Sequence, residues 1–298
     1  MRLVARAPAT VANLGPGFDA LALAVDLWSE VEVDTDAAPA VEVRGEGAGE
    51  IPEDASNLVF RAMAWLTREA GGSLPPFALR CANRIPLERG LGSSAAAVVS
   101  GLLLADRLLG AGLDRDRILE VAVDVEGHPD NVAACLGGGA VVAYLSRAGW
   151  RAERLEPHPS LRLVALVPEH ERLPTADARR ALPREVPLVD AAFNAGRAAL
   201  VVLALTERPE LLPEALEDRL HQQRRLPLVP AARALFEDLR AAGVPVCVAG
   251  AGPSLLAFES EDWRVPELGP GWRVLRLQAA AEGADVLEEG VERVGDHP

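Results

Sequence analysis

At 298 residues the chain is long enough for two domains, and its 49% apolar and 25% charged content excludes a disordered or fibrous protein. A formal net charge of −14 is the wrong sign for nucleic acid or an anionic membrane surface, so neither is expected as a partner. All 30 basic residues are arginine, which excludes the classes built on a lysine: Walker A loops, protein kinases and pyridoxal enzymes.

In chain order, Arg2 to Val11 and Leu27 to Thr35 read as strands, the second alternating through Val31, Glu32, Val33 and Asp34. Between them Gly15-Pro16-Gly17 marks a loop from Asn13 to Phe18. Spacing predicts a helix over Asn57 to Ala70, with Leu58, Ala62, Trp65 and Leu66 on one face, then a short strand from Pro75 to Ala82. Gly90-Leu91-Gly92-Ser93-Ser94 opens an apolar run to Leu109 that stops at Gly110. A serine N-cap and the glycine beyond the end delimit a buried helix of about four turns.

A second helix, Asp114 to Val125, leads into Glu126-Gly127-His128-Pro129-Asp130-Asn131-Val132, and three glycines precede the strand Ala140 to Leu145. Composition shifts near Gly149, and a domain boundary is expected between Ser146 and Pro159. The second half offers a strand (Leu161 to Val167) and helices at Val189 to Thr206 and Ala231 to Ala242. Strands Val244 to Ala249 and Leu255 to Glu259 close it around Gly250-Ala251-Gly252-Pro253-Ser254. The alternation lacks βαβ regularity, so the fold class is α+β. Cys81, Cys135 and Cys247 have no paired spacing and read as buried, reduced thiols of a cytoplasmic protein. The N-terminal residues show no secretory leader, and the longest apolar stretch, Ala95 to Ala105, is too short for a bilayer.

A glycine loop feeding a helix N-terminus offers free N–H groups and the positive end of the helix dipole, which suits a phosphate. Ser93 and Ser94 add hydroxyls for phosphate or Mg²⁺. Two other readings fit the glycines: an ordinary capped helix, and a dinucleotide fingerprint, since Gly90, Gly92 and Ala95 fall at GxGxxA spacing. Against the fingerprint, Pro86, Glu88 and Arg89 make a poor core strand, and no acidic residue ends a second strand about twenty residues on. Glu126, at a helix end, is a Mg²⁺-type carboxylate or else part of a surface acidic turn. His128 has no second His or Cys at zinc-ligand spacing.

Taken together, Pro8 to Asp19 (PATVANLGPGFD), Pro86 to Ala96 (PLERGLGSSAA) and Val248 to Ser254 (VAGAGPS) resemble the three motifs of the GHMP small-molecule kinases, in order and across the chain. Glu126 to Ala133 (EGHPDNVA) narrows the resemblance to the homoserine kinase branch. The resemblance implies a two-domain fold: an N-terminal ATP-binding α+β domain, residues 1–152, and a C-terminal ferredoxin-like α/β sandwich, residues 153–298. It implies ATP-dependent phosphorylation of the L-homoserine hydroxyl, with ATP and Mg²⁺, and a homodimer. Other readings stay open here: a different GHMP kinase acting on mevalonate, a diphosphocytidyl-methylerythritol or a sugar, a dinucleotide-binding oxidoreductase, or a non-catalytic sensor of the same fold.

By the same resemblance Asp19 binds the substrate ammonium, Asn13 and Asn131 orient its hydroxyl, and His128 and Asp130 line its pocket. Arg179 and Arg225 take the carboxylate, although Arg224 competes with Arg225 because the family usually has Pro-Tyr where Gln223-Arg224 stand. Asn57 lies near the adenine. Pro86, Leu87, Glu88, Arg89, Gly90, Leu91, Gly92, Ser93, Ser94, Ala95 and Ala96 form the phosphate loop. Glu126 and Ser94, or Ser93, hold the metal. Relatives that pair an aspartate with a lysine at the attacked hydroxyl cannot be copied by a chain without lysine, which points to direct attack.

Overall fold

A computed structural model describes residues 1–288 of the chain. The first part runs β1 (Arg2–Ala12), β2 (Leu21–Asp34), β3 (Ala40–Gly45), α1 (Leu58–Glu69), β4 (Ala78–Asn83), α2 (Ser93–Leu109), α3 (Arg115–Glu126), α4 (Asp130–Gly137), β5 (Ala140–Ser146) and β6 (Gly149–Leu155). It continues as β7 (Arg162–Pro168), α5 (Thr175–Arg180), α6 (Leu188–Thr206), α7 (Leu212–Ala215), α8 (Gln222–Arg225) and α9 (Pro230–Ala241). Strands β8 (Val246–Val248), β9 (Leu255–Glu259), β10 (Trp272–Leu277) and β11 (Asp285–Glu288) close it.

Two sheets result. In the larger, β11, β1, β2, β4 and β3 lie side by side, and β5 with β6 extends from the start of β2. Long β2 pairs with β1 along one edge and divides the other between two strands: Leu21–Leu23 pair with β5, and Glu30–Asp34 with β4. Its register against β1 shifts between Pro8 and Ala9, where proline withholds a ladder N–H. Helices α2 and α4 pack on β1 and β2, with α1 and α3 against α2. Leu102 and Leu104 of α2 are fully buried there, each stabilising by about 1.5–3 kcal/mol.

The second sheet has the antiparallel order β10-β7-β9-β8, the strand order of a ferredoxin-like layer. Between β9 and β10 the chain has no helix, so only the first crossover, from β7 to β8, is helical. The fold is α+β, as expected. β6 runs across the position 152/153, and β11 returns from the second half to pair with β1.

Several elements depart from the sequence reading. β2 begins six residues before Leu27: its first five residues are buried on both faces, and so show no alternation. Helix α2 is capped by Gly92, in the left-handed region at φ 72°, with no side-chain cap; the serines lie inside the helix. Helix α6, of 19 residues and mean hydropathy 1.6, is long and apolar enough to cross a membrane by length and composition, which the Ala95 to Ala105 estimate overlooked. Only 22% of its most apolar stretch is buried: Asn194, Val201, Ala204 and Leu205 face inward, while Leu188 and Val189 are exposed. All three cysteines are buried and free, and burial pushes Cys81 up to about 11 and Cys247 up to about 12.

Candidate active site

The N-terminus of α2 opens into a cavity of about 380 Å³ between the two sheets' loops. Gly92 must be glycine there: a Cβ would stand 2.0 Å from the Thr10 hydroxyl and 3.2 Å from Asn131 Oδ1. Gly90, at φ 74°, lies so close to the Val248 to Ser254 turn that a Cβ would meet the Ala249 carbonyl at 2.0 Å. The loop over residues 86–96 is therefore fitted against β1 on one side and the second sheet's glycine turn on the other.

Arg89 secures this fit. Buried, it donates from Nε to the Pro168 carbonyl (2.9 Å) and from Nη2 to that of Glu169 (3.0 Å), so it ties the loop to the end of β7. Burial holds its pKa below the ordinary value. Of the other loop residues, Pro86, Glu88, Leu91, Ser93 and Ser94 line the cavity, whereas Ala95 is wholly buried and lines neither this cavity nor the next.

A second cavity, about 440 Å³, shares Glu88, Ser93 and Ser94 with the first and continues the cleft. Leu87, Ala96 and Asn57 line it, along with residues the sequence reading did not assign to a ligand: Val31, Ile51, Leu58, Val59, Cys81, Asn83 and Ser100. Its largely apolar walls suit a flat base. Asn57 is occupied in capping α1, accepting from Val59 N–H (3.0 Å) and donating to the Pro52 carbonyl (2.9 Å).

Glu126 ends α3 and meets α2's first turn, its Oε2 accepting from the Ser94 hydroxyl at 2.8 Å. Burial raises its pKa; the neighbouring Asp130 adds to this, while His128 and Ser94 oppose it. His128 Nδ1 lies 2.9 Å from Asp130 Oδ1, and its Nε2 is 3.8 Å from Glu126. Burial disfavours the charged imidazole, but the Asp130 hydrogen bond and both carboxylate charges outweigh it, and the pKa is raised. Asp130 and Asn131 open α4, which the sequence reading took for a turn. Asn131 Oδ1 accepts from Thr10 Oγ at 2.7 Å.

The loop after β1 is built on left-handed backbone: Asn13 at φ 70°, Leu14 at 44°, Gly15 at 73° and Asp19 at 54°. Non-glycine residues in this region store strain that the surroundings must hold. Asn13 supplies much of the hold, donating to the Gly250 carbonyl (2.8 Å) and accepting from Asp19 N–H (3.0 Å).

Asp19 faces Arg179, on α5, in a two-pronged ion pair of 2.8 and 3.0 Å. This bond, first, raises the arginine's pKa. Arg225, on α8, is 2% exposed and lines the cavity, whereas Arg224 is exposed and does not line it. Its Nη1 donates to the Gly250 carbonyl (3.0 Å), but its buried Nε has no partner. Burial, then repulsion from Arg179, lowers its pKa to about 10. Phe18 lies beneath both guanidinium groups, 5.3 Å from Arg225 and 5.8 Å from Arg179. Every residue named for the substrate, Asn13, Asp19, His128, Asp130, Asn131, Arg179 and Arg225, borders this one cavity.

Comparison with known proteins identifies the family. The family model of the GHMP kinases N terminal domain matches residues 57–139. A homoserine kinase of Streptomyces avermitilis is 48% identical, covering 95% of this chain and 94% of its own. One of Rhodococcus opacus is 45% identical, covering 97% and 94%. Among solved structures, a homoserine kinase of Cytophaga hutchinsonii superposes with TM-score 0.80 at 27% identity, over 96% of this chain and 97% of that one. A mevalonate diphosphate decarboxylase of Staphylococcus aureus, 17% identical with TM-score 0.67 over 96% and 98%, shares the fold. The chain belongs to the homoserine kinase family of the GHMP kinases.

Proposed function

We propose that this chain transfers the γ-phosphoryl group of ATP to the side-chain hydroxyl of L-homoserine, giving O-phospho-L-homoserine and ADP. One observation carries the reading: the N-terminus of α2, which no side chain caps, and the set Asp19, Arg179 and Arg225 share a single cavity. The first suits a triphosphate, and the second a small zwitterion. Asp19 takes the ammonium, Arg179 and Arg225 the carboxylate, and Asn13 and Asn131 aim the hydroxyl at the γ-phosphorus. His128 and Asp130 wall the pocket. Adenine occupies the apolar cavity past Ser93, and the phosphates lie along residues 86 to 96.

Ser94 and Glu126 are the residues that would hold Mg²⁺, which when bound neutralises phosphate charge. Their fit rests on the chemistry of the pair: a hydroxyl beside a buried carboxylate whose charge burial disfavours and a cation would relieve. Among the described residues no group of three His, Cys, Asp or Glu is arranged for a metal, in keeping with an ion held by one carboxylate plus phosphate oxygens. With no lysine in the chain, the transfer depends on aligning the hydroxyl and on the backbone N–H groups of α2's first turn. We read residues 1–152 as the ATP-binding part and 153–298 as the part that supplies both carboxylate-binding arginines. The free buried thiols support a cytoplasmic setting.

A coupled ADP-release assay with L-homoserine, L-serine and mevalonate side by side tests the substrate. Homoserine should turn over at least 100-fold faster, by kcat/KM, than either rival. Preference for mevalonate would redirect the reading to another GHMP kinase.

A further inference from the structure

A buried polar cluster beneath the substrate cavity remains outside the mechanism above. His221 sits at the start of α8 with its side chain wholly buried. Its Nε2 lies 2.7 Å from the Gly15 carbonyl, in the left-handed loop that carries Asp19. A carbonyl only accepts, so Nε2 carries the proton and Nδ1 is the acceptor. On that side stands Arg225 Nη1, at 3.2 Å. The imidazole also packs on Phe18, ring centroids 5.4 Å apart, and Phe18 in turn lies under Arg179 and Arg225.

Asp218 fixes the base of this cluster, accepting from the backbone N–H groups of His221 (2.9 Å) and Gln222 (2.7 Å) and from the Asn194 amide (2.7 Å). Its carboxylate stays 3.9 Å from His221 Nε2, outside hydrogen-bond range. The charged groups facing the ring are thus Asp218, Arg225 and, through the loop, Asp19; burial outweighs the acids and holds the imidazole neutral below its ordinary pKa. A neutral ring is what both contacts require. It donates to one arm of the substrate clamp and accepts from the other.

We propose that His221 is the positioning residue of the zwitterion clamp, joining the Asp19 loop through the Gly15 carbonyl to the Arg225 guanidinium through Nδ1. The inference rests on the homoserine reading given above. Without His221 the Arg225 Nη1 keeps one carbonyl, and its fork loses the second contact that sets its direction toward the substrate carboxylate. The loop would also lose a donor that holds strained backbone.

The test is steady-state kinetics for both substrates in His221→Leu, His221→Asn and His221→Gln. Asn keeps an oxygen near the Nδ1 position, and Gln keeps an N–H near the Nε2 position. In Leu, kcat/KM for L-homoserine should fall about 30-fold or more while KM for ATP stays within about threefold. Asn should recover most of the loss, and Gln little, because the Arg225 contact orients the charge that meets substrate. A folded Leu variant with wild-type homoserine kinetics, or one in which both substrates suffer equally, would overturn the proposal. Should Leu not fold, Asn and Gln with equal homoserine kinetics overturn it as well. Failure of the homoserine reading looks different: the wild-type protein itself would release no ADP with L-homoserine.

Discussion

Arg179 and Asp19 hold each other through two N–H···O bonds, at 2.8 and 3.0 Å, across 160 residues of chain. The residues proposed to bind the substrate's carboxylate and ammonium therefore satisfy one another when the cavity holds no amino acid. A zwitterion entering the site exchanges one ion pair for two. A ligand with only one of the two charges would leave a partner unpaired, which disfavours it.

Both side chains are about one-third exposed, so the pair itself adds little to stability, about 0–1 kcal/mol. Arg179→Ala should then shift Tm by only a few degrees while raising KM for L-homoserine about 100-fold and leaving KM for ATP nearly unchanged. Differential scanning calorimetry beside two-substrate kinetics measures both. Equal effects on the two substrates would remove Arg179 from the carboxylate site.

Arg225 presents the opposite balance. It is a buried guanidinium without a carboxylate in contact, and its pKa is lowered to about 10. Such a charge costs stability until an anion arrives. Arg225→Met should keep or raise Tm and cut kcat/KM for homoserine at least 100-fold. A large loss of stability would mean the arginine serves the fold and not the ligand.

Glu126→Gln should lower kcat by about 10²-fold or more with the fold intact. The raised pKa gives the sign for stability. Between the unfolded value, near 4.5, and the higher folded value, the native state binds the extra proton, so this residue's contribution falls as pH rises through that window. The neutral amide escapes this penalty, and at pH 8 the variant should melt no lower than the wild type.

Gly92→Ala should be severe. It combines φ 72° with a Cβ 2.0 Å from Thr10 Oγ, and pushing Thr10 aside also displaces Asn131. A loss of several kcal/mol and of nearly all turnover is expected. Gly49→Ala, at φ 80° but with no atom within 4 Å, isolates the backbone cost at about 1–2 kcal/mol with activity retained. Urea denaturation of both variants separates strain from clash.

The sequence made the glycine loop and the helix it feeds readable because their physics is local: glycines where backbone must turn left-handed, then an apolar run closed by Gly110. Glu126 was equally accessible, standing at a helix end, whereas Asp130 opens α4, a helix the sequence did not reveal. The arginines were not. Arg179 and Arg225 sit on helices of six and four residues, whose order comes from tertiary contact and leaves no periodicity, so resemblance alone singled them out. Strand β3 buries only Val43, and β6 buries none of its residues; such edge strands carry too little apolar pattern to read. Thr10, Phe18 and His221 act through distant partners, a relation that spacing cannot express.

The central claim is that backbone N–H groups opening α2 hold the triphosphate that a lysine would hold elsewhere. A crystal structure with a non-hydrolysable ATP analogue, Mg²⁺ and L-homoserine tests it directly. The β- and γ-phosphates should lie within hydrogen-bond distance of the residue 92–94 amides, with the homoserine hydroxyl facing the γ-phosphorus. A triphosphate bound away from that helix end, whatever the kinetics, would contradict the account.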